Sequence, residues 1–167
     1  LDQGTTSSRA IVFNKQGEIM GNAQQEFPQI YPHTGWVEHD PIEILGSQVG
    51  VISEALIRAK VTASDIASIG ITNQRETTII WDKKTGIPVY NAIVWQCARG
   101  AAICDRIAET EGNAETVQAH TGLQLSPYFS AAKIAWVLEN VEGAKALADS
   151  NDICHGTIDS WLVYKLT

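Results

Sequence analysis

The sequence predicts an α/β fold in which helices pack on a mixed β-sheet. The chain opens with a hairpin pattern: a polar entry, a run of branched apolar residues, a Gly-containing turn and a second run. An amphipathic helix with clear N-terminal signals follows the hairpin. Short apolar strands come next, and helices dominate the rest of the chain.

Composition indicates a globular protein without a basic binding surface. The 167 residues fit one domain with a sizeable core, and 44% are hydrophobic against 19% charged. The net charge of −7 argues against a nucleic-acid or anionic-membrane surface, and no apolar run is long enough to span a bilayer. Three widely spaced cysteines, Cys97, Cys104 and Cys154, show no metal spacing and suggest a reducing compartment.

The first elements are the most sharply marked. Residues 9–13 and 19–27 read as two strands, and Gly17 lies in the turn between them. Asp40 is a good helix N-cap and Pro41 suits the first helical position, so we expect a helix over 41–60. Its predicted core-facing stripe is Ile42, Leu45, Val49, Ile52 and Leu56.

Later elements follow from shorter patterns. We expect strands at 68–72, 77–81, 87–95 and 152–155, and helices at 96–109, 130–140, 142–149 and 157–166. Leu1 resembles the tail of a strand and Thr167 follows a helix with no closing cap, so we expect a piece of a longer protein.

The opening stretch LDQGTTSSRAIVF, residues 1–13, has the composition of a phosphate-binding turn. A glycine lets backbone N–H groups approach a phosphate, hydroxyls add donors, and an acid can hold Mg²⁺ directly or through water. The residues that supply these groups are Asp2, Gly4, Thr5, Thr6, Ser7 and Arg9. It is not a Walker A loop, since GxxxxGK[ST] is absent and a hairpin follows. On composition alone, a polar strand entry is an equally good reading.

Two further groups could contact a polyhydroxylated ligand. Arg75 and Glu76 offer a donor fork beside a carboxylate acceptor, which suits adjacent hydroxyls if a bend between strands lets both side chains reach one ligand. A surface ion-pair-rich turn is the plainer alternative. Trp95 and Tyr128 could cover the carbon skeleton of such a ligand, although two core aromatics would be the ordinary case.

Six segments together carry a family resemblance. In order they are DQGTTSSR at 2–9, GWVEHDP at 35–41, GITNQRETTIIWD at 70–82, NAIVWQ at 91–96, TGLQLSPYFSAAKIAW at 121–136 and GTIDSWLVYKLT at 156–167. They resemble the glycerol kinases, within the carbohydrate kinases of the glycerol kinase and xylulokinase group and the wider actin-like ATPase superfamily. The resemblance covers essentially every residue, but only the early part of those much longer, two-lobed proteins.

The resemblance implies a role for each candidate residue. ATP and Mg²⁺ would be the cofactors, and Asp2 would help to place Mg²⁺ near the transferring phosphoryl group. The hydroxyl residues Thr5, Thr6 and Ser7 would bind the nucleotide phosphates, and Arg9 would counter their charge. The glycerol ligands implied in the same way are Arg75, Glu76, Tyr128 and Trp95, with Tyr128 ranked above Trp95.

The resemblance also implies how the whole protein works. Residues 1–167 would form part of the N-terminal ribonuclease H-like lobe, and the catalytic base and adenosine site would lie outside this chain. The intact protein would be a cytoplasmic homo-oligomer that converts glycerol and ATP to sn-glycerol 3-phosphate and ADP, without nucleic acid or a membrane span. The chain alone would have almost no kinase activity, because catalysis needs both halves of a cleft.

Departures from the family pattern leave the proposed ligands intact. Ala98 and Arg99 stand where the family usually has two arginines, and His155 stands where a phenylalanine often precedes Gly-Thr. His39 matches the family segment and is expected to shape the loop before the first helix. The alternatives left open are a xylulose or gluconate kinase, a non-catalytic nucleotide- or polyol-binding remnant, and an actin-like structural or chaperone ATPase.

Overall fold

The structure, a computed structural model, describes every residue from Leu1 to Thr167. Its strands are β1 (Asp2–Gln3), β2 (Ser7–Phe13), β3 (Ile19–Glu26), β4 (Glu38–His39), β5 (Thr72–Asn73), β6 (Thr78–Asp82), β7 (Ala92–Ile93) and β8 (Ile153–Thr157). Its α-helices are α1 (Pro41–Ala59), α2 (Ala101–Ala108), α3 (Asn113–Thr121), α4 (Ser130–Asn140), α5 (Ala144–Asp149) and α6 (Ile158–Leu166). Short 3₁₀ turns occupy Ala63–Asp65 and Ala98–Gly100. None of the helices combines the length and apolar character that crossing a bilayer demands.

The chain forms two compact units, although its length led us to expect one domain. Unit 1 comprises Leu1–Gln29, His39–Arg75 and Ile158–Thr167. Unit 2 comprises Ile30–Glu38 and Glu76–Thr157. The predicted α/β class with packed helices is confirmed, and each unit has its own four-stranded sheet.

Unit 1 contains the predicted mixed sheet, in the order β3-β2-β1-β5. Strand β1 runs antiparallel to β2 and parallel to β5. The predicted hairpin is present as β2 and β3, and β2 begins two residues before the predicted strand. Its turn is fixed by Gly17, whose φ of +80° is a conformation that glycine adopts without steric cost.

Helix α1 begins and ends almost where the sequence predicts, but its buried face is rotated. The Asp40 side chain accepts a 2.7 Å hydrogen bond from the Ile42 N–H, as expected of an N-cap. The buried residues are Pro41, Ile44, Ser47, Gln48, Val51, Ala55 and Ala59. The predicted stripe lies at the edge of this face: Ile42 and Val49 are exposed, whereas the other three residues are half-buried. Two polar residues explain the difference, because Ser47 and Gln48 face the sheet and an apolar pattern cannot find them.

A glycine allows α1 to lie against β3 at backbone distance. A Cβ atom added to Gly21 would lie 2.6 Å from both the Ala55 carbonyl oxygen and the Ala59 nitrogen. Small residues continue this interface, because Ala10 and Ala23 pack with Ala55 in the unit 1 core. The close approach therefore depends on the missing side chain at position 21.

Unit 2 has the strand order β4-β7-β6-β8, and β6 pairs antiparallel with β8 along its whole length. The predicted strand over 87–95 shrinks to Ala92–Ile93. The predicted helix over 96–109 divides into the Ala98–Gly100 turn and α2. Helix α4 has the predicted bounds of 130–140, whereas α3 was not predicted, since none of its residues is buried.

A buried cation organises the interior of unit 2. The Arg99 guanidinium carbon lies 4.1 Å from the Trp36 ring centroid and 4.6 Å from that of Trp136. Its Nη2 donates to Glu38 Oε1 at 2.6 Å, and Glu38 also accepts from Tyr90 and Asn91. Burial alone would raise the pKa of Glu38, but hydrogen bonds from Asn91, Tyr90 and Arg99 hold it below its ordinary value.

Candidate functional site

The predicted phosphate-binding residues lie in unit 1, on the short turn between β1 and β2. Gly4 donates its backbone N–H to the Ser7 carbonyl at 2.9 Å, which closes the turn around Thr5 and Thr6. A Cβ atom at Gly4 would lie only 3.2 Å from that carbonyl oxygen, so glycine suits the position. The turn therefore brings three hydroxyl side chains together at one end of the hairpin.

Strand pairing determines which side chains share a face at this turn. Asp2 stands opposite Arg9, and Gln3 stands opposite Ser8. Gln3 and Ser8 are both completely buried, and the Ser8 hydroxyl donates to Gln3 Oε1 at 2.9 Å. Because neighbouring residues of a strand point to opposite faces, Asp2 and Arg9 share the other, more accessible face. A carboxylate on β1 and a guanidinium on β2 thus lie opposite each other on paired strands.

Gln24 of β3 belongs to the same face, and the sequence reading missed it. Its Oε1 accepts from Arg9 Nη2 at 2.8 Å and from Arg9 Nε at 3.2 Å. Its Nε2 donates to the Ser7 hydroxyl at 2.9 Å. One amide side chain therefore orients two of the predicted phosphate ligands. The hairpin register, which pairs Arg9 with Gln24, was the signal that could have found it.

A second unpredicted group supports the turn from inside unit 1. Gln29 Nε2 donates to the Thr5 carbonyl at 3.1 Å, and Gln29 Oε1 lies 2.7 Å from His39 Nε2. On the other side of the ring, Gln74 Nε2 lies 3.2 Å from His39 Nδ1. A neutral imidazole with its proton on Nε2 satisfies both contacts, donating to Gln29 and accepting from Gln74. Burial lowers the pKa of His39 to about 4, so the ring stays neutral at physiological pH.

Arg75 and Glu76 occupy a turn between β5 and β6, as the sequence predicts. Arg75 is exposed and is the last residue of its segment of unit 1. Glu76 is half-buried, begins the second segment of unit 2 and has a φ of +66°. This left-handed conformation is uncommon for a residue with a Cβ atom. Arg75 and Glu76 therefore lie at a bend, which is the condition for both side chains to reach one ligand.

Trp95 and Tyr128 lie together in unit 2 although 33 positions separate them in the sequence. Their ring centroids are 6.0 Å apart and the ring planes meet at 65°. Both rings are half-buried, unlike Trp161 of unit 1, whose side chain is completely buried. The Trp95 backbone N–H donates to the Thr77 hydroxyl at 3.1 Å, which fixes this part of the loop. The two rings together form an apolar surface that carries one phenol hydroxyl group.

The acidic residue at the predicted phosphate-binding turn suits a cation that keeps much of its bound water. No group of three or more His, Cys, Asp or Glu side chains is arranged to hold a metal ion. Asp2 is the acidic residue at the predicted phosphate-binding turn, and one carboxylate is enough for Mg²⁺ when waters and phosphate oxygens complete the coordination. A transition-metal site would need more protein ligands than this.

Comparison with known proteins identifies the class. The model for the N-terminal domain of the FGGY family of carbohydrate kinases matches residues 1–167. The chain belongs to this family. Within it, the chain is 61% identical over its whole length to a glycerol kinase of Clostridium botulinum strain Eklund 17B, of which it covers 34%. The chain thus spans about a third of the length of the curated relatives that it matches.

Solved structures agree with this relationship. The crystal structure of Plasmodium falciparum glycerol kinase with ADP superposes on 99% of the chain with a TM-score of 0.92 and 37% identity, and the match covers 33% of that protein. A gluconate kinase of Lactobacillus acidophilus superposes on 98% with a TM-score of 0.81 and 21% identity, covering 31% of that protein. The second likeness concerns the fold alone.

Proposed function

We propose that the intact protein transfers the γ-phosphoryl group of ATP to glycerol and releases ADP and sn-glycerol 3-phosphate. The observation that carries the proposal is the 61% identity to a glycerol kinase over the whole chain. The predicted phosphate ligands and glycerol ligands all lie within this matched region. A chain that spans a third of its relatives' length supplies only part of such an enzyme.

Unit 1 would hold the nucleotide phosphates. The hydroxyls of Thr5, Thr6 and Ser7 would donate to phosphate oxygens, and Arg9 would counter their charge. Asp2, opposite Arg9 in the hairpin, would hold Mg²⁺ directly or through water. When bound, Mg²⁺ would neutralise charge on the transferring group. Phosphoryl transfer depends mainly on positioning and charge stabilisation, and this set of side chains supplies both.

The glycerol ligands would be Arg75, Glu76, Tyr128 and Trp95. Adjacent hydroxyls of a polyol are both donors and acceptors, so a guanidinium and a carboxylate satisfy them together. The Trp95 and Tyr128 rings would cover the carbon skeleton, and the Tyr128 hydroxyl would add one hydrogen bond.

The rest of the enzyme would lie beyond this chain. We infer that residues 1–167 form part of the N-terminal ribonuclease H-like lobe, and that a later aspartate deprotonates the attacking hydroxyl. The adenosine site would belong to the second lobe. The chain by itself would therefore turn over almost no substrate, and the intact protein would work in the cytoplasm as a homo-oligomer.

The test is Mg²⁺-ATP-dependent phosphorylation by the product of the uninterrupted gene, with glycerol, xylulose and gluconate offered side by side. We expect glycerol to be preferred, and the preference to be lost in Arg75→Ala and Glu76→Ala. Arg106→Ala and Glu139→Ala are matched controls, because these two residues form an exposed ion pair at 2.5 Å. Preference for xylulose or gluconate would overturn the polyol assignment and keep the family, whereas no turnover at all would indicate a binding protein.

A further inference from the structure

Lys133 of α4 is a lysine whose side chain is entirely removed from solvent. An ammonium group is strongly hydrated in water, so burying it costs several kcal/mol unless nearby groups compensate. Lysines are almost never fully buried without such compensation. A completely buried lysine in unit 2, close to proposed ligands, therefore needs an explanation.

The compensation begins with two backbone carbonyl groups. The Lys133 ammonium donates to the carbonyl of Tyr128, and also to that of Phe129 at 3.3 Å. The ammonium nitrogen also lies 6.0 Å from the centre of the Tyr128 ring. These bonds fold the lysine back over the residues that lead into α4, so they fix the backbone from which the Tyr128 phenol projects.

Helix α4, which carries Lys133, packs closely against a neighbouring turn. A Cβ atom at Gly100 would lie 2.9 Å from the Ala132 Cβ, which shows how closely the Ala98–Gly100 turn approaches the helix. Ala132 and Val137 of α4 are buried in the hydrophobic clusters of unit 2. The helix that carries Lys133 is therefore closely packed at both positions.

The charges nearest in effect to the Lys133 ammonium also belong to unit 2. Burial lowers the pKa of Lys133 to about 8, and the negative charge of Glu76 opposes that shift. The other titratable groups that face the ammonium are the thiols of Cys97 and Cys104. Lys133 is thus linked by charge to one proposed glycerol ligand and by hydrogen bonding to another.

We propose that Lys133 is a positioning residue for the polyol: its buried ammonium fixes the backbone at Tyr128 and so places the phenol for the hydroxyl groups. The inference rests on the proposed function, since it assigns a supporting role to one proposed ligand. Lys133 itself does not touch the reacting atoms in this scheme. Its removal should therefore alter the KM for glycerol far more than the KM for ATP.

The first test replaces Lys133 by methionine in the intact protein, which keeps an unbranched side chain of nearly the same length and removes the charge. We expect the KM for glycerol to rise about tenfold to a hundredfold, the range for losing a charge-assisted hydrogen bond, and the KM for ATP to change less than about twofold. Lys145→Met is the matched control, because Lys145 is exposed and pairs with Asp149 in the same unit. A folded Lys133→Met variant with an unchanged KM for glycerol, or with both KM values raised alike, would overturn the inference.

The second test uses the wild-type protein, so its result does not depend on whether a variant folds. In the wild-type protein the KM for glycerol should rise as the pH passes through about 8, because a deprotonated Lys133 donates more weakly to the carbonyls of Tyr128 and Phe129. A flat profile between pH 7 and 9 would overturn the inference. Failure of the wild-type protein to phosphorylate glycerol would overturn the proposed function instead, so the two failures are distinguishable.

Discussion

The imidazole Nε2 of His39 lies 2.7 Å from the Oε1 of Gln29, whose own amide nitrogen donates to the carbonyl of Thr5 at 3.1 Å. A completely buried histidine is therefore connected through one side chain to the turn proposed to hold nucleotide phosphates. Its other ring nitrogen accepts from Gln74, the residue before Arg75. One ring thus supports two loops of unit 1.

Replacing His39 by leucine should weaken nucleotide binding. The change removes the ring that hydrogen-bonds to the amides of Gln29 and Gln74, and the loss of one such bond costs about 0.5–1.5 kcal/mol. We expect the Kd for ADP of the intact protein to rise about tenfold, measured by calorimetry. His120→Leu, at an exposed position of α3, should leave ADP binding unchanged. Equal ADP affinity in the His39 and His120 variants would contradict the connection to Thr5.

The pH dependence of stability should also reveal His39. Its pKa is about 4 in the folded chain and 6.5 ordinarily, so between these values the unfolded chain binds the extra proton. The stability that comes from keeping the ring neutral is fully present above pH 6.5 and is lost as the pH falls through about 4. The whole effect is about 3 kcal/mol. Urea unfolding of wild type and His39→Gln, from pH 7 to pH 4, should show a loss that is larger in wild type by about this amount, because the carboxyl groups titrate in both proteins. Parallel losses in the two proteins would contradict it.

The buried Arg99–Glu38 pair should behave differently from an exposed pair. Arg99→Met leaves the Glu38 carboxylate buried without its charged partner, which should lower the free energy of unfolding by about 3–5 kcal/mol. The double variant Arg99→Met/Glu38→Gln should recover part of that loss, because no unpaired charge remains. The exposed pair Arg106–Glu139 should contribute only about 0–1 kcal/mol in the same double-mutant cycle. Similar coupling energies for the two pairs would show that burial does not matter here.

Two glycines of unit 1 should respond oppositely to alanine. Gly21→Ala places a Cβ atom 2.6 Å from the backbone of α1, and such overpacking typically costs about 1–3 kcal/mol. Gly46→Ala lies within α1, where a Cβ atom meets nothing within 4 Å, and should stabilise the chain by about 0.5–1 kcal/mol. Thermal unfolding of the two variants measures both effects. A neutral Gly21→Ala would mean that α1 can shift away from β3 without loss.

Position 76 should show the steric cost of its backbone conformation. Glu76 has a φ of +66°, which disfavours any residue with a Cβ atom by about 1–2 kcal/mol. Glu76→Gly should therefore be more stable than Glu76→Ala by about 1 kcal/mol in urea unfolding, although both variants lose the carboxylate. Equal stabilities would show that the turn relaxes to another conformation.

Local signals in the sequence were enough to predict α1, α4 and the first hairpin. A capping aspartate, a proline at the first helical position and a Gly turn each act over a few neighbouring residues, so they can be read without the fold. The turn at Arg75 and Glu76 followed from the strand patterns on either side of it, and a bend there was the condition for both side chains to reach one ligand. The roles of the predicted site residues stay predictions.

Features that depend on distant contacts could not be predicted. The phase of α1 was wrong because Ser47 is buried against Ser8, a contact between residues 39 positions apart. Helix α3 has no buried face, so it lacks the apolar period by which helices are recognised. Gln24, Gln29 and Gln74 acquire their roles only when strands and loops of unit 1 come together, and nothing in their local sequence marks them.

The conformation of Glu76 has a consequence for protein engineering. A design that seeks stability alone would place glycine at this turn, because glycine removes the steric penalty. A residue with a carboxylate stands there instead, and residues held in uncommon backbone conformations cluster at active sites and ligand clamps. Under the proposed function, position 76 is where a variant optimised for stability and a variant that binds a polyol would differ.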